Sequence, residues 1–235
     1  MVFDIVNIVG VTAICLLTAN ILCILDLISN DQKEAKTVEY LTAALAEEDA
    51  ILVSDLTLPI KARRTTQVDH VLFMPHGIYV IEEKNYTGTL KGNIDDAMWT
   101  KFMGKRQLKL QNPFKQNMVH IEGIRKAVDD RSLPCINVVL INGKCRFSGT
   151  QPEWLCMGKD ELIAKLKSRT NSLLFSTTQL ESCHSKLLAV RKKPGLITDL
   201  EHIAHLNRRH KVRMKPTYFV TYYCISLFRF FYRWF

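Results

Sequence analysis

Residues 67–86, QVDHVLFMPHGIYVIEEKNY, constrain the fold more than any other stretch of the chain. Two runs rich in Val, Ile, Phe and Tyr flank Pro75, His76 and Gly77, a combination that predicts two β-strands joined by a tight turn. Strand side chains alternate between faces with a period of two. Asp69, Val71 and Phe73 then share one face of the first strand, and Glu82 and Lys84 share one face of the second. Glu83 and His70 point the other way, and His70 reads as structural. Pairing such a hairpin brings Asp69, Glu82 and Lys84 to one point on an otherwise apolar sheet.

That convergence is costly without a purpose. Two carboxylates about 4 Å apart repel by roughly 4 kcal/mol at an effective dielectric near 20. A divalent cation removes the repulsion, and Mg²⁺ prefers one or two carboxylates, completed by water and substrate phosphate. A lysine beside it can orient water or neutralise charge developing on a phosphate. The plainer alternative is a Glu82–Lys84 ion pair on a solvated strand face. The run IYVI just before Glu82 favours a buried setting.

Around this pair the motifs continue: Thr66-Gln67-Val68-Asp69-His70, then Gly77-Ile78-Tyr79-Val80-Ile81-Glu82-Glu83-Lys84-Asn85-Tyr86-Thr87-Gly88, then Trp99, then Gln111-Asn112-Pro113-Phe114-Lys115-Gln116-Asn117. Over roughly residues 33–145 the chain resembles the NERD (nuclease-related) domain, a branch of the PD-(D/E)XK nuclease fold. The resemblance implies an α/β domain of restriction-endonuclease-like type, with a mixed central sheet flanked by helices and an α-β-β-β-α-β core. It implies Mg²⁺-dependent (or Mn²⁺-dependent) hydrolysis of nucleic acid, with Asp69, Glu82 and Lys84 as the catalytic set. Gln116 matches the family's late polar position. The metal ligands it implies are Asp69, Glu82, the main-chain carbonyl of Glu83, and a glutamate on the first helix. Two residues compete for that last place, because the family's preceding glycine is absent. Glu34 lies one turn before Val38 on the stripe Val38, Leu41 and Leu45, whereas Glu39 is rotated by about 100° from Val38. Glu34 is therefore the preferred acid.

The formal net charge is +9 and the pI about 9.2. This balance favours anionic partners, either nucleic acid or an anionic membrane surface. Lys61, Arg63 and Arg64 precede the Asp69 strand, and Lys101, Lys105, Arg106, Lys109 and Lys115 flank Trp99. Both groups could line a groove that follows a phosphate backbone. The seven cysteines form no C-x-x-C pair, which argues against a zinc knuckle or a disulfide framework and suits a reducing compartment.

Both ends look membranous. Residues 5–25 carry no charged side chain, and a helix of that length spans about 30 Å. With no Lys or Arg before it and no small-residue cleavage site after it, an uncleaved anchor is preferred to a signal peptide. Residues 217–235 are rich in Tyr, Phe and Trp with Arg229 and Arg233 among them, which suits an interfacial or re-entrant tail, with a second span as the alternative. The patch Arg208, Arg209, Lys211, Arg213 and Lys215 has no acid within it and places the main domain on the cytoplasmic side.

Residues 135–141 read as a buried strand, 159–168 and 176–191 as helices, and 197–210 as a short amphipathic helix. Three regions follow: 1–30 an anchor, 31–195 the nuclease-like domain, and 196–235 a basic segment with an aromatic tail. His202 with His205, and Cys183 with His184, lack the partners a metal site or a nucleophilic pair would need. The expected function is that of a membrane-anchored metal-dependent nuclease acting on DNA, or on RNA. The alternatives are a non-catalytic nucleic-acid-binding module and a membrane scaffold.

Overall fold

A computed structural model describes residues 32–61, 64–169 and 173–193. Helix α1 (32–44) leads into β1 (Ile51–Lys61), β2 (Arg64–Met74) and β3 (Gly77–Asn85). Three short strands follow, β4 (Gly88–Lys91), β5 (Met98–Met103) and β6 (Arg106–Gln111), and then helix α2 (Pro113–Ala127). The chain continues through β7 (Cys135–Asn142), β8 (Cys145–Ser148), β9 (Leu155–Cys156), α3 (Lys159–Ser168) and α4 (Thr177–Val190). A mixed sheet in the order β1-β2-β3-β7-β9 forms the centre, with β7 and β9 parallel to their neighbours and the rest antiparallel. The mixed α/β architecture flanked by helices agrees with the expectation. The second sheet, β6-β5-β4-β8, was not legible in the sequence.

The apolar run of β3 is buried on both faces, as expected of a central strand. On one side Val71, Phe73, Ile78 and Val80 pack against Ile121 and Ile124 of α2 and Leu180 and Leu187 of α4. On the other, Leu72, Met74, Tyr79, Ile81, Val138 and Leu140 pack against Leu41 of α1, Leu45 just after it, and Leu162 and Leu166 of α3. Each such side chain contributes about 1.5–3 kcal/mol when fully buried. Helix α4 begins with a capping box, Ser176 and Gln179 satisfying each other's main-chain N–H groups.

The small sheet continues the large one. β3 runs on into β4 and β7 into β8, and both pairs are parallel. The change of direction falls at Gly88 (φ +93°) and Gly143 (φ +97°). A Cβ on Gly143 would stand 2.6 Å from the Tyr86 carbonyl oxygen, and one on Gly88 2.2 Å from that of Phe102. Glycine alone meets both the left-handed backbone and the close approach.

Helix α1 corrects the expected stripe. Thr37 and Leu41 are its buried residues, with Leu45 buried just beyond its end, and Val38 is only half-buried. A polar residue takes the inward place because its hydroxyl has a buried carboxylate to bond, that of Glu83. Among the described residues no helix is long and apolar enough to cross a membrane. Residues 5–25 and 196–235, together with Arg63, lie outside the described residues.

Candidate active site

The β2–β3 ladder is regular from Met74 opposite Gly77 to His70 opposite Ile81, and there it ends. β2 itself stays paired with β1 as far as Arg64. Val68, Val71 and Phe73 of β2 and Val53, Leu56 and Leu58 of β1 all lie in the core under α2 and α4. Strict alternation cannot put Val68 on the face of Val71, nor Val53 on that of Leu56. Both strands therefore rotate between those positions, at Asp69 and at Asp55. Asp55 takes φ +53° there, a conformation that Asp tolerates better than most residues, and its Oδ1 accepts a 2.9 Å bond from Gln67 Nε2.

The rotation opens a gap between β2 and β3. The Glu83 N–H, which a regular ladder would direct to a β2 carbonyl, donates instead to Asp69 Oδ2 at 2.8 Å. In a strand the N–H and C=O of one residue point to the same side, so the Glu83 carbonyl faces this gap too. Asp69 thus lies in the plane of the sheet rather than on the face assigned to it by alternation.

Glu82 and Lys84 project from β3 toward α2. Glu82 is fully buried. Its Oε1 accepts a short bond from Lys84 Nζ, and its Oε2 lies 2.9 Å from His120 Nε2. His120 Nδ1 in turn lies 2.5 Å from Thr66 Oγ1. With a neutral imidazole, the Nε2–H donates to Glu82 and the Thr66 hydroxyl donates to Nδ1.

The two carboxylates are driven apart in acidity. Burial and the nearby Glu82 charge push Asp69 up to about 6, against Lys84, the Glu83 N–H and His70. Burial would raise Glu82 as well, but the His120 hydrogen bond and the Lys84 charge hold it below its usual value. Burial would lower Lys84, but Glu82 and Asp69 push it up to about 12. One carboxylate firmly ionised beside one that titrates near neutrality is the asymmetry from which acid and base roles are built.

Glu83 occupies the other face. Its side chain accepts from Thr37 Oγ1 (3.1 Å) and Asn142 Nδ2 (2.6 Å) and pairs with His70 Nε2 (3.0 Å). His70 Nδ1 lies 2.8 Å from Ser54 Oγ. Helix α1, strand β2 and the end of β7 are thereby tied to the backbone of the residue next to Glu82. Glu34 lies one turn before Thr37, on the Glu83 side, and is half-buried. It is not among the groups that act most strongly on Asp69 or Glu82.

Helix α2 is mounted by the residues around Pro113. Asn112 caps its first turn by accepting from Phe114 N (2.9 Å), and donates to the Asn93, Ile94 and Asp96 carbonyls. Asn117, fully buried, donates to the Val80 and Val138 carbonyls (2.7 and 3.1 Å), pinning α2 across β3 and β7. Gln116 is half-buried one turn before His120. His120 and Thr66 were missed as site residues. The signal for His120 was present, since it falls three residues after Asn117 on the inward stripe Phe114, Asn117, Ile121 and Ile124.

The donors that gather at the gap are hard oxygens, the buried Glu82 carboxylate, the half-buried Asp69 carboxylate and a carbonyl, which suit Mg²⁺ or Mn²⁺ rather than a softer ion. Among the described residues no cluster of three or more His, Cys, Asp or Glu side chains is placed to hold a metal ion. A site completed by water and phosphate does not require one.

Residues 29–142 match the family model described as the nuclease-related domain. An uncharacterized protein of Bacillus anthracis is 32% identical over 110 residues, which cover 47% of this chain and 51% of that protein. The chain therefore spans about half the length of the curated relative it matches. No solved structure matches it.

Proposed function

We propose that the chain, whose residues 29–142 match the nuclease-related domain, is a metal-dependent nuclease that hydrolyses phosphodiester bonds, with DNA as the preferred substrate and RNA as the alternative. The observation that carries this reading is the gap in the sheet. There Asp69 replaces a ladder carbonyl on Glu83, beside the ion pair of buried Glu82 with half-buried Lys84. A fold gains nothing in stability from gathering two acids at an interrupted ladder, whereas a phosphoryl-transfer site needs that arrangement.

In this reading Asp69, Glu82 and the Glu83 carbonyl would hold Mg²⁺ or Mn²⁺, and Glu34 would complete the acidic set from α1. The ion would supply Lewis-acid stabilisation of the phosphate and a more acidic bound water. Lys84 would hold its ammonium against the phosphate oxygens or the attacking water. His120 fixes the Glu82 carboxylate through Oε2 and leaves Oε1 toward Lys84. Gln116, one turn from His120, would contact water or phosphate. Residues 5–25 would anchor the chain in a membrane with the main domain on the cytoplasmic side, and the aromatic tail would lie at the interface. Fractionation of the full chain against a variant lacking residues 1–30 tests that placement.

One observation favours a second reading, a non-catalytic nucleic-acid-binding or scaffold module. Both oxygens of Glu82 already have protein partners, Lys84 and His120. One experiment separates the two readings. The full-length chain is incubated with labelled single-stranded, duplex and branched DNA, and with RNA, with and without Mg²⁺. Cleavage that requires the metal supports the nuclease. Binding without cleavage under every metal and substrate supports the module.

A further inference from the structure

The β5–β6 hairpin stands out among the surfaces that the site does not use. Residues 97–121 contain Lys101, Lys105, Arg106, Lys109 and Lys115 and no carboxylate. Lys105, Arg106 and Lys109 are exposed. So are the apolar side chains of Met103 and Leu108, at 38% and 46%. The strand register sets Lys101 opposite Leu108 and Met103 opposite Arg106, so these four share one face of the ribbon. At its root the ribbon is fixed. Trp99 is buried against Phe114 and Phe147, and its Nε1 donates to the Asn93 carbonyl at 2.8 Å.

That face is continuous with the catalytic strand. Lys101 Nζ sits 5.2 Å from the centre of the Tyr86 ring. Tyr86 follows Lys84 by two residues and lies within reach of its charge and of the Glu82 charge. A track of alternating cationic and apolar groups therefore runs from Glu82 and Lys84 through Tyr86 and Lys101 to Met103, Arg106 and Leu108. A phosphate backbone satisfies the cations. The exposed apolar groups between them fit unstacked bases, which a duplex keeps inside its stack.

We propose that the β5–β6 hairpin is a nucleic-acid-binding wing that guides an unpaired strand toward the Glu82–Lys84 end of the sheet. The choice of nucleic acid as its occupant rests on the nuclease reading, but the test does not require cleavage.

Binding of a fluorescent single strand and of the matching duplex to the full-length chain is measured by anisotropy in EDTA, over a range of salt. The variant Lys101→Gln/Lys105→Gln/Arg106→Gln should bind the single strand on the order of tenfold more weakly, with a salt slope shallower by about 2. Met103→Ser/Leu108→Ser should weaken the single strand and leave the duplex unchanged. Lys101→Arg/Lys105→Arg should bind like the wild type, which separates loss of charge from damage to the fold. Wild-type binding by the triple glutamine variant overturns the proposal, and so does a preference of the unaltered chain for duplex. Loss of binding to phosphatidylglycerol vesicles in the triple variant, with single-strand binding intact, also overturns it and assigns the hairpin to a membrane surface. A chain that binds through the hairpin yet never cleaves supports the wing and overturns the nuclease. A chain that cleaves and binds independently of the hairpin does the reverse.

Discussion

His120 Nε2 lies 2.9 Å from Glu82 Oε2, joining helix α2 to the most buried acid of the site. The contact spans 38 residues of sequence and determines which Glu82 oxygen remains for Lys84. Replacing His120 by Ala leaves a buried carboxylate oxygen without a donor, at a cost of about 1–3 kcal/mol. His120→Gln, which keeps a donor, should recover much of that stability. Activity should fall by roughly 10–100-fold in the alanine variant, the range for the loss of a supporting group behind a metal ligand. Denaturant melts together with Mg²⁺ titrations of cleavage check both expectations, and an unchanged melt for His120→Ala would show that the contact carries no stability.

Lys84 combines a high affinity for its proton with a place beside both acids. Lys84→Ala should remove cleavage while DNA binding in EDTA changes by less than about threefold, since one of many cations is lost. Single-turnover cleavage and anisotropy on the same preparation decide it. Cleavage at the wild-type rate would remove Lys84 from the mechanism.

Asp69 should carry a stability cost that depends on pH. Its folded pKa is raised from 3.8 to about 6, so the folded state binds the proton more tightly than the unfolded state. The penalty is absent below about pH 4, grows between about pH 4 and 6, and levels off at about 3 kcal/mol above that. Asp69→Asn retains an acceptor for the Glu83 N–H. It should be more stable than the unaltered chain at pH 8, by about 1–3 kcal/mol, and equal to it at pH 4. Thermal melts at the two pH values without metal measure the difference.

Glu83 should behave as a structural acid. Its side chain is held by Thr37, His70 and Asn142 on the face away from Lys84. Glu83→Ala strands three polar partners and should cost about 2–4 kcal/mol. Thr37→Val removes one partner and should cost about 1 kcal/mol. The two effects should add to more than the double variant shows, because both act on one network. Strict additivity in denaturant melts would contradict a shared network.

The sequence alone determined the hairpin, its turn at Pro75–His76, the buried β7 strand and the shared face of Glu82 and Lys84, because each rests on local pattern: a period of two, a turn residue, a continuous apolar run. It also held the linked motifs that the family model matches over residues 29–142. Only the tertiary structure decided that β2 and β3 part at Asp69, that Thr37 rather than Val38 faces the sheet, and that His120 reaches Glu82. Alternation describes an undistorted strand, and the rotation at Asp55 and Asp69 arises from packing two strands against helices that the pattern does not contain. The α2 contacts join residues far apart in the chain, and an imidazole at helical spacing carries no mark of its partner until the helix is docked.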